Sequence, residues 1–89
     1  QNAKMHAVFG DIARQATYHG RKLTLMQWKV LLISGHAIAT GLGVDMVPGL
    51  EGEFVNIRES SANMSVARMA SVIEYSLAYG AQHGVEFSQ

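Results

Sequence analysis

The 89 residues, 48% of them hydrophobic, suffice for one small domain with a single core and are too few for two. Seven basic side chains balance seven acidic ones, so the chain lacks the overall positive charge of a general nucleic-acid binder. Cysteine is absent, which excludes a disulfide framework and fits a cytoplasmic protein, and no apolar run approaches the roughly 18 residues of a membrane helix.

From residue 2 to about residue 18, Met5, Val8, Phe9, Ile12 and Ala16 recur at helical spacing, with Lys4, Asp11, Arg14 and Gln15 off the stripe. This predicts an amphipathic helix, with His19-Gly20 as its C-terminal stop. Thr24 with Gln27 three residues on is a capping-box signature. The run Leu25, Trp28, Val30, Leu31, Leu32, Ile33 is apolar around most of its circumference, predicting a second helix to about Ala39, buried on more than one side and ended by Gly41 and Gly43.

Residues 44–47 and 54–57 are short β-prone runs around a turn-rich stretch that begins at Pro48, and they predict a hairpin. Residues 60–63 form a polar loop, and Ser65 is the N-cap of a third helix whose stripe is Val66, Met69, Ala70, Ile73 and Leu77, ended by Gly80 or Gly84. Residues 85–87 form an extended tail that either packs back or continues onward. The expected fold is thus α+β and mainly helical: three helices with a small β-hairpin between the second and third, in one domain spanning residues 1–89. So small a core leaves a narrow margin of stability, and a twofold dimer is expected.

Charge is unevenly placed. Residues 1–29 carry Lys4, Arg14, Arg21, Lys22 and Lys29 against Asp11 alone, whereas residues 30–89 carry Arg58 and Arg68 against Asp45, Glu51, Glu53, Glu59, Glu74 and Glu86. Between Arg14 and Lys29, cations alternate with Tyr18, His19 and Trp28. Cations satisfy phosphates and rings stack on unpaired bases, so this segment suits a single nucleic-acid strand. It equally suits a solvated turn with Trp28 in the core.

His6, His19, His36 and His83 show no metal-binding spacing, and no cysteine stands by to complete a site, so neither metal nor cofactor is expected. Glu51, Glu53 and Glu59 suit a solvated turn better than a paired-carboxylate centre. Ser60, Ser61 and Ser65 lack a nucleophile-elbow setting, and Gly41-Leu42-Gly43 is too little for a phosphate loop. The sequence therefore does not read as an enzyme.

Several short elements occur in a fixed order over essentially the whole chain: Gln1-Asn2-Ala3-Lys4, Arg14-Gln15, Tyr18-His19-Gly20-Arg21, Trp28-Lys29, Val47-Pro48, Phe54-Val55, Ser60-Ser61 before Met64, Tyr79-Gly80 and His83-Gly84-Val85. In these the chain resembles the phage recombination family NinB. The resemblance implies a mixed α/β homodimer that binds single-stranded DNA in the cytoplasm of a bacterial host. It also implies work with the host single-strand-binding protein, and help in loading a recombinase or annealing protein as a mediator rather than an enzyme. Members of that family carry a β-containing portion before the Gln-Asn-x-Lys element and a further C-terminal segment, so the 89 residues are expected to be a fragment lacking both.

Carried over by position, Gln1, Asn2 and Lys4 match the family's first element, Arg14 and Gln15 its Arg-Gln, and His19, Gly20 and Arg21 its His-Gly-Arg turn. With Lys22 and Lys29 from the charge pattern, the expected DNA contacts are Gln1, Asn2, Lys4, Arg14, His19, Arg21, Lys22 and Lys29. His6 stands where an aromatic is expected, and Asn63 and Ser65 where arginines are expected, which shifts the expected contacts toward the end of the first helix, the turn and Lys29. The alternative expectation is a dimeric interaction module that docks on a single-strand-binding protein through its acidic half, with DNA held by segments outside these residues.

Overall fold

The computed structural model describes residues 2–58 and 64–88. Gln1, Glu59 and the loop expected at residues 60–63 lie outside the described residues. Three helices and one two-stranded hairpin follow in the expected order.

Helix α1, Asn2–Gln15, buries the whole anticipated stripe of Met5, Val8, Phe9 and Ile12, with Ala16 just beyond its end. It stops short of the expected residue 18, and His19-Gly20 is not its cap. His19 (φ 51°) and Gly20 (φ 76°) are instead the two central residues of a tight turn. There the Tyr18 N–H donates to the Arg21 carbonyl at 2.8 Å and the Arg21 N–H returns to Tyr18 at 3.0 Å. Two successive positive φ values are what a type I′ turn requires; glycine meets that without strain, and histidine is among the residues found there more often than most.

Helix α2, Leu25–Ala39, begins with the anticipated capping box: the Gln27 N–H donates to Thr24 Oγ1 at 3.2 Å, and the Thr24 N–H donates to Gln27 Oε1 at 2.9 Å. It does not bury more than one side. Trp28, Leu32, His36 and Ala37 face inward, while Met26, Val30 and Ile38 are well exposed. Both helices that pack on α2 approach from the inner side, so its outer apolar side chains stay bare.

Strands β1, Met46–Pro48, and β2, Phe54–Asn56, pair antiparallel with Val47 opposite Val55. Glu53 closes the connecting turn by accepting the Glu51 N–H at 3.0 Å, so this carboxylate serves the hairpin itself.

Helix α3, Val66–Gln82, starts from the anticipated Ser65 cap, whose Oγ accepts the Arg68 N–H at 3.1 Å. Of its expected stripe, Ile73 is in the core and Met69 and Leu77 pack against it, whereas Val66 is exposed; Val72, Ser76 and Gly80 complete the buried face. At its C-terminal end this face must admit the tail, which requires Gly80. A Cβ on Gly80 would collide with the Phe87 ring, and the Val85 N–H donates to the Gly80 carbonyl at 2.9 Å. Of the two expectations for residues 85–87, the tail packs back. Gln15 of α1 holds the Glu86 backbone through both its N–H and its carbonyl, at 2.9 and 2.8 Å.

Candidate nucleic-acid interface

The type I′ turn sets His19 and Arg21 beside the first two turns of α2. Between them runs an open groove of about 560 Å³, with Leu23, Met26, Val30 and Leu31 as its apolar floor and His19, Arg21 and Gln27 on its rim. Tyr18 lines the same groove, meeting the Trp28 ring at 5.8 Å and 76° and the His19 ring at 4.5 Å and 74°. Trp28 itself is only 1% exposed and packs on Tyr79 at 5.7 Å, which makes it core and not a stacking platform.

A second groove of about 540 Å³ lies along α2, the hairpin and the start of α3. Ile33, Met46 and Phe54 give it an apolar wall, and Lys29, Arg58 and Arg68 line it with charge. Met26 and Val30 border both grooves, forming a ridge on α2 with cations to either side. Arg68 is held below its usual pKa, first by burial and then by the charge of Arg58.

The expected contact residues do not all converge. Arg14, His19, Arg21 and Lys22 gather at the turn end of α1, where Lys22 Nζ donates to the Arg14 carbonyl. Arg14 also pairs with Asp11, although its side chain is 65% exposed. Asp11 lies below the ordinary carboxylate pKa, chiefly because the Ser88 backbone N–H donates to it at 2.9 Å; burial opposes this, and the Ser88 hydroxyl and Arg14 add to it. Asn2 and Lys4 sit at the opposite end of α1, Lys4 roughly 15 Å along the axis from Arg14 at 1.5 Å per residue. Lys29 belongs to the second groove. Gln1 lies outside the described residues.

Arg58, Arg68 and Phe54 escaped the sequence reading because they are far from Lys29 along the chain and fall in its acidic part. One signal was available: Met46 on one strand and Phe54 and Asn56 on the other share a face by the two-residue period of a strand, Val44 and Arg58 continue that period just beyond the strand ends, and all five line the second groove.

The remaining polar centre is His36, buried between α2 and α3. Arg68 Nε donates to its Nδ1 at 3.3 Å, which leaves Nε2 as the protonated nitrogen, donating to Ser71 Oγ at 2.7 Å. A ring nitrogen that already carries its proton cannot take one from serine, so this pair is a structural clamp and not a nucleophile with its base. Burial, then the Arg68 charge, lowers the His36 pKa. Among the described residues no group of three or more His, Asp or Glu side chains is placed to hold a metal ion, and no helix is long and apolar enough to cross a membrane.

Fold and site define a small three-helix module with a hairpin and one outward face that joins apolar surface to cations. The family model described as NinB protein matches residues 1–88. The chain is 37% identical over 89 residues to Protein ninB of Escherichia phage lambda and, equally, to the prophage-derived NinB of Escherichia coli, covering 99% of this chain and 58% of each relative. A solved structure described as "Structural Genomics, NinB" is similar with a TM-score of 0.76 at 36% identity, over 98% of this chain and 62% of that one. The chain belongs to the NinB family. It spans 58% of the length of these curated relatives.

Proposed function

We propose that this chain is a single-stranded DNA-binding module of a phage or prophage recombination mediator, acting as a homodimer in the host cytoplasm and not as an enzyme. The observation that carries the reading is the ridge of Met26 and Val30 with Arg21 and His19 along one side and Lys29, Arg58 and Arg68 along the other. A strand laid over such a ridge neutralises its phosphates on the cations while its unpaired bases meet apolar surface, which duplex DNA keeps stacked inside. Host single-strand-binding protein and a recombinase or annealing protein are the partners such a mediator serves.

The dimer, and the alternative of an interaction module, draw support from a separate observation. Ile38 and Leu42 are exposed where α2 passes into the hairpin, and Ile57 is exposed on the hairpin, away from the second groove. Apolar exposure of this extent on a small domain marks an association surface.

Fluorescence anisotropy of a labelled single strand and of its duplex, titrated at several salt concentrations, tests the reading. The single strand should bind more tightly, and log K should fall with log salt. In the Arg21→Ala/Lys22→Ala variant the slope should flatten by about 1.4, since each phosphate contact on a single strand contributes about 0.7. No binding at low salt would overturn the reading and leave the interaction module in its place.

A further inference from the structure

At the C-terminal end of α3 the His83 ring lies nearly parallel to the Tyr79 ring, with centroids 4.2 Å and planes 25° apart. Its Nδ1 is 2.8 Å from the Tyr79 carbonyl, and because a carbonyl only accepts, that nitrogen carries a proton and donates it. The bond satisfies a carbonyl left over at the helix end and, together with the stack, fixes the plane of the ring. Tyr79 covers one face of His83, yet the residue is exposed, so the opposite face of this pre-set ring is turned to solvent.

Two independent ties put the ring at the basic end of the molecule. An aromatic series runs from His83 through Tyr79 and Trp28 to Tyr18, with successive centroids 4.2, 5.7 and 5.8 Å apart, and Tyr18 lines the turn-side groove. Three residues beyond His83, the Glu86 backbone is held by Gln15, the neighbour of Arg14, whose carbonyl accepts from Lys22. The cations Arg14, Arg21 and Lys22 outnumber the carboxylates Asp11 and Glu86 of this end, and Asp11 already accepts from Arg14 and Ser88.

We infer that the His83 ring, backed by Tyr79, is a stacking platform for an unpaired nucleobase, extending the strand's path from the turn-side groove to the end of α3; the inference rests on the single-strand reading above. Every base has a flat π face, so such a platform tolerates any sequence, while the cations beside it take the flanking phosphates. A ring held in place beforehand has little rotamer freedom left to lose on binding. His6 shows the contrast: its Nδ1 makes the same kind of bond four residues back, to the Asn2 carbonyl, but its ring meets Phe9 edge-on at 6.4 Å and 70° and has no parallel ring behind it.

The test titrates a labelled oligo-dT, and a labelled abasic strand of the same length that keeps the phosphates without the bases, with the parent chain, His83→Ala and His83→Phe. His83→Ala should bind oligo-dT about tenfold more weakly, the loss of one stacked base, with the slope of log K against log salt unchanged because no phosphate contact is removed. Its binding to the abasic strand should match that of the parent, and His83→Phe, which keeps a ring without the capping donor, should retain most of the affinity for oligo-dT. No loss on oligo-dT in His83→Ala, an equal loss on both strands, or a loss as large in His83→Phe overturns the platform and leaves the single-strand reading standing. A slope flattened by about 0.7 in His83→Ala also overturns it, because the side chain would then be a phosphate contact. Failure of the parent chain to bind either strand overturns both.

Discussion

Trp28 and Val30 lie two residues apart on one helix, and one is 1% exposed while the other is 68% exposed. Both are apolar, and by composition alone α2 does not say which way it faces. The inner side is closed by α1, by α3 and by the returning tail, which hydrogen-bonds to both helices. On the outer side Met26, Val30 and Ile38 stay well exposed among the described residues. The contrast teaches that the inner face of α2 is explained by this fold, whereas its outer face is the surface on which the proposed function rests.

The largest effect expected from breaking this contrast is on the inner side. Trp28→Ala removes the ring that joins Tyr18 and Tyr79 to the core and should cost about 3–5 kcal/mol, a large part of the stability of so small a domain. Val30→Ser on the ridge should change stability by no more than about 0.5 kcal/mol. Urea unfolding of both variants makes the comparison. A loss in Val30→Ser that grows as the protein is diluted would show that a second copy covers the ridge itself, and would move the dimer surface onto the candidate DNA track.

What the sequence showed and what it hid follow the same division. The stripe on α1, both serine and threonine caps and the hairpin were legible because each is a local pattern, set by neighbours within four residues. The I′ turn at His19-Gly20 was misread as a helix stop because glycine serves both purposes, and only the Tyr18 to Arg21 pairing separates them. The stripe on α3 was legible in Met69, Ile73 and Leu77 but not in its buried small residues, because periodicity weights large side chains, whereas Gly80 makes room for Phe87, a neighbour beyond the helix. At the site, Arg21 and His19 were readable as a local cluster. Arg58 and Arg68 were not, since their approach to Lys29 is a product of folding.

A smaller effect sharpens the closed side of the contrast. Gly80→Ala places a methyl group against the Phe87 ring, an overpacking that costs about 1–3 kcal/mol if the ring must give way. The strain has an outlet, because residues 85–88 can detach from α1 and α3. Hydrogen exchange separates the two responses. Faster exchange at the Glu86 and Ser88 amides, which donate to Gln15 and Asp11, with the helix interiors still protected, is the expected outcome. Uniformly faster exchange would mean that the tail and the helices open as one unit.

The subtlest test concerns acid, where the inner side holds two titrating groups with separate windows. His36 is neutral in the fold, sandwiched by Arg68 and Ser71 of α3 with Tyr75 edge-on at 5.8 Å, and protonation would set a second N–H against the Arg68 guanidinium. Its folded pKa lies below 6.5, so the unfolded chain takes up the proton first and stability declines as pH falls from 6.5 toward the folded value. Asp11 is also lowered, but from 3.8, so the stability it lends through Ser88 and Arg14 is retained until the pH falls below that value. Melting temperature followed from about pH 7 to about pH 5 therefore isolates the histidine from the aspartate. The parent should lose stability across that interval, and His36→Gln, though less stable throughout, should lose less of it. An equal decline in both would show that protonation elsewhere sets the acid response and that the His36 clamp tolerates its charge.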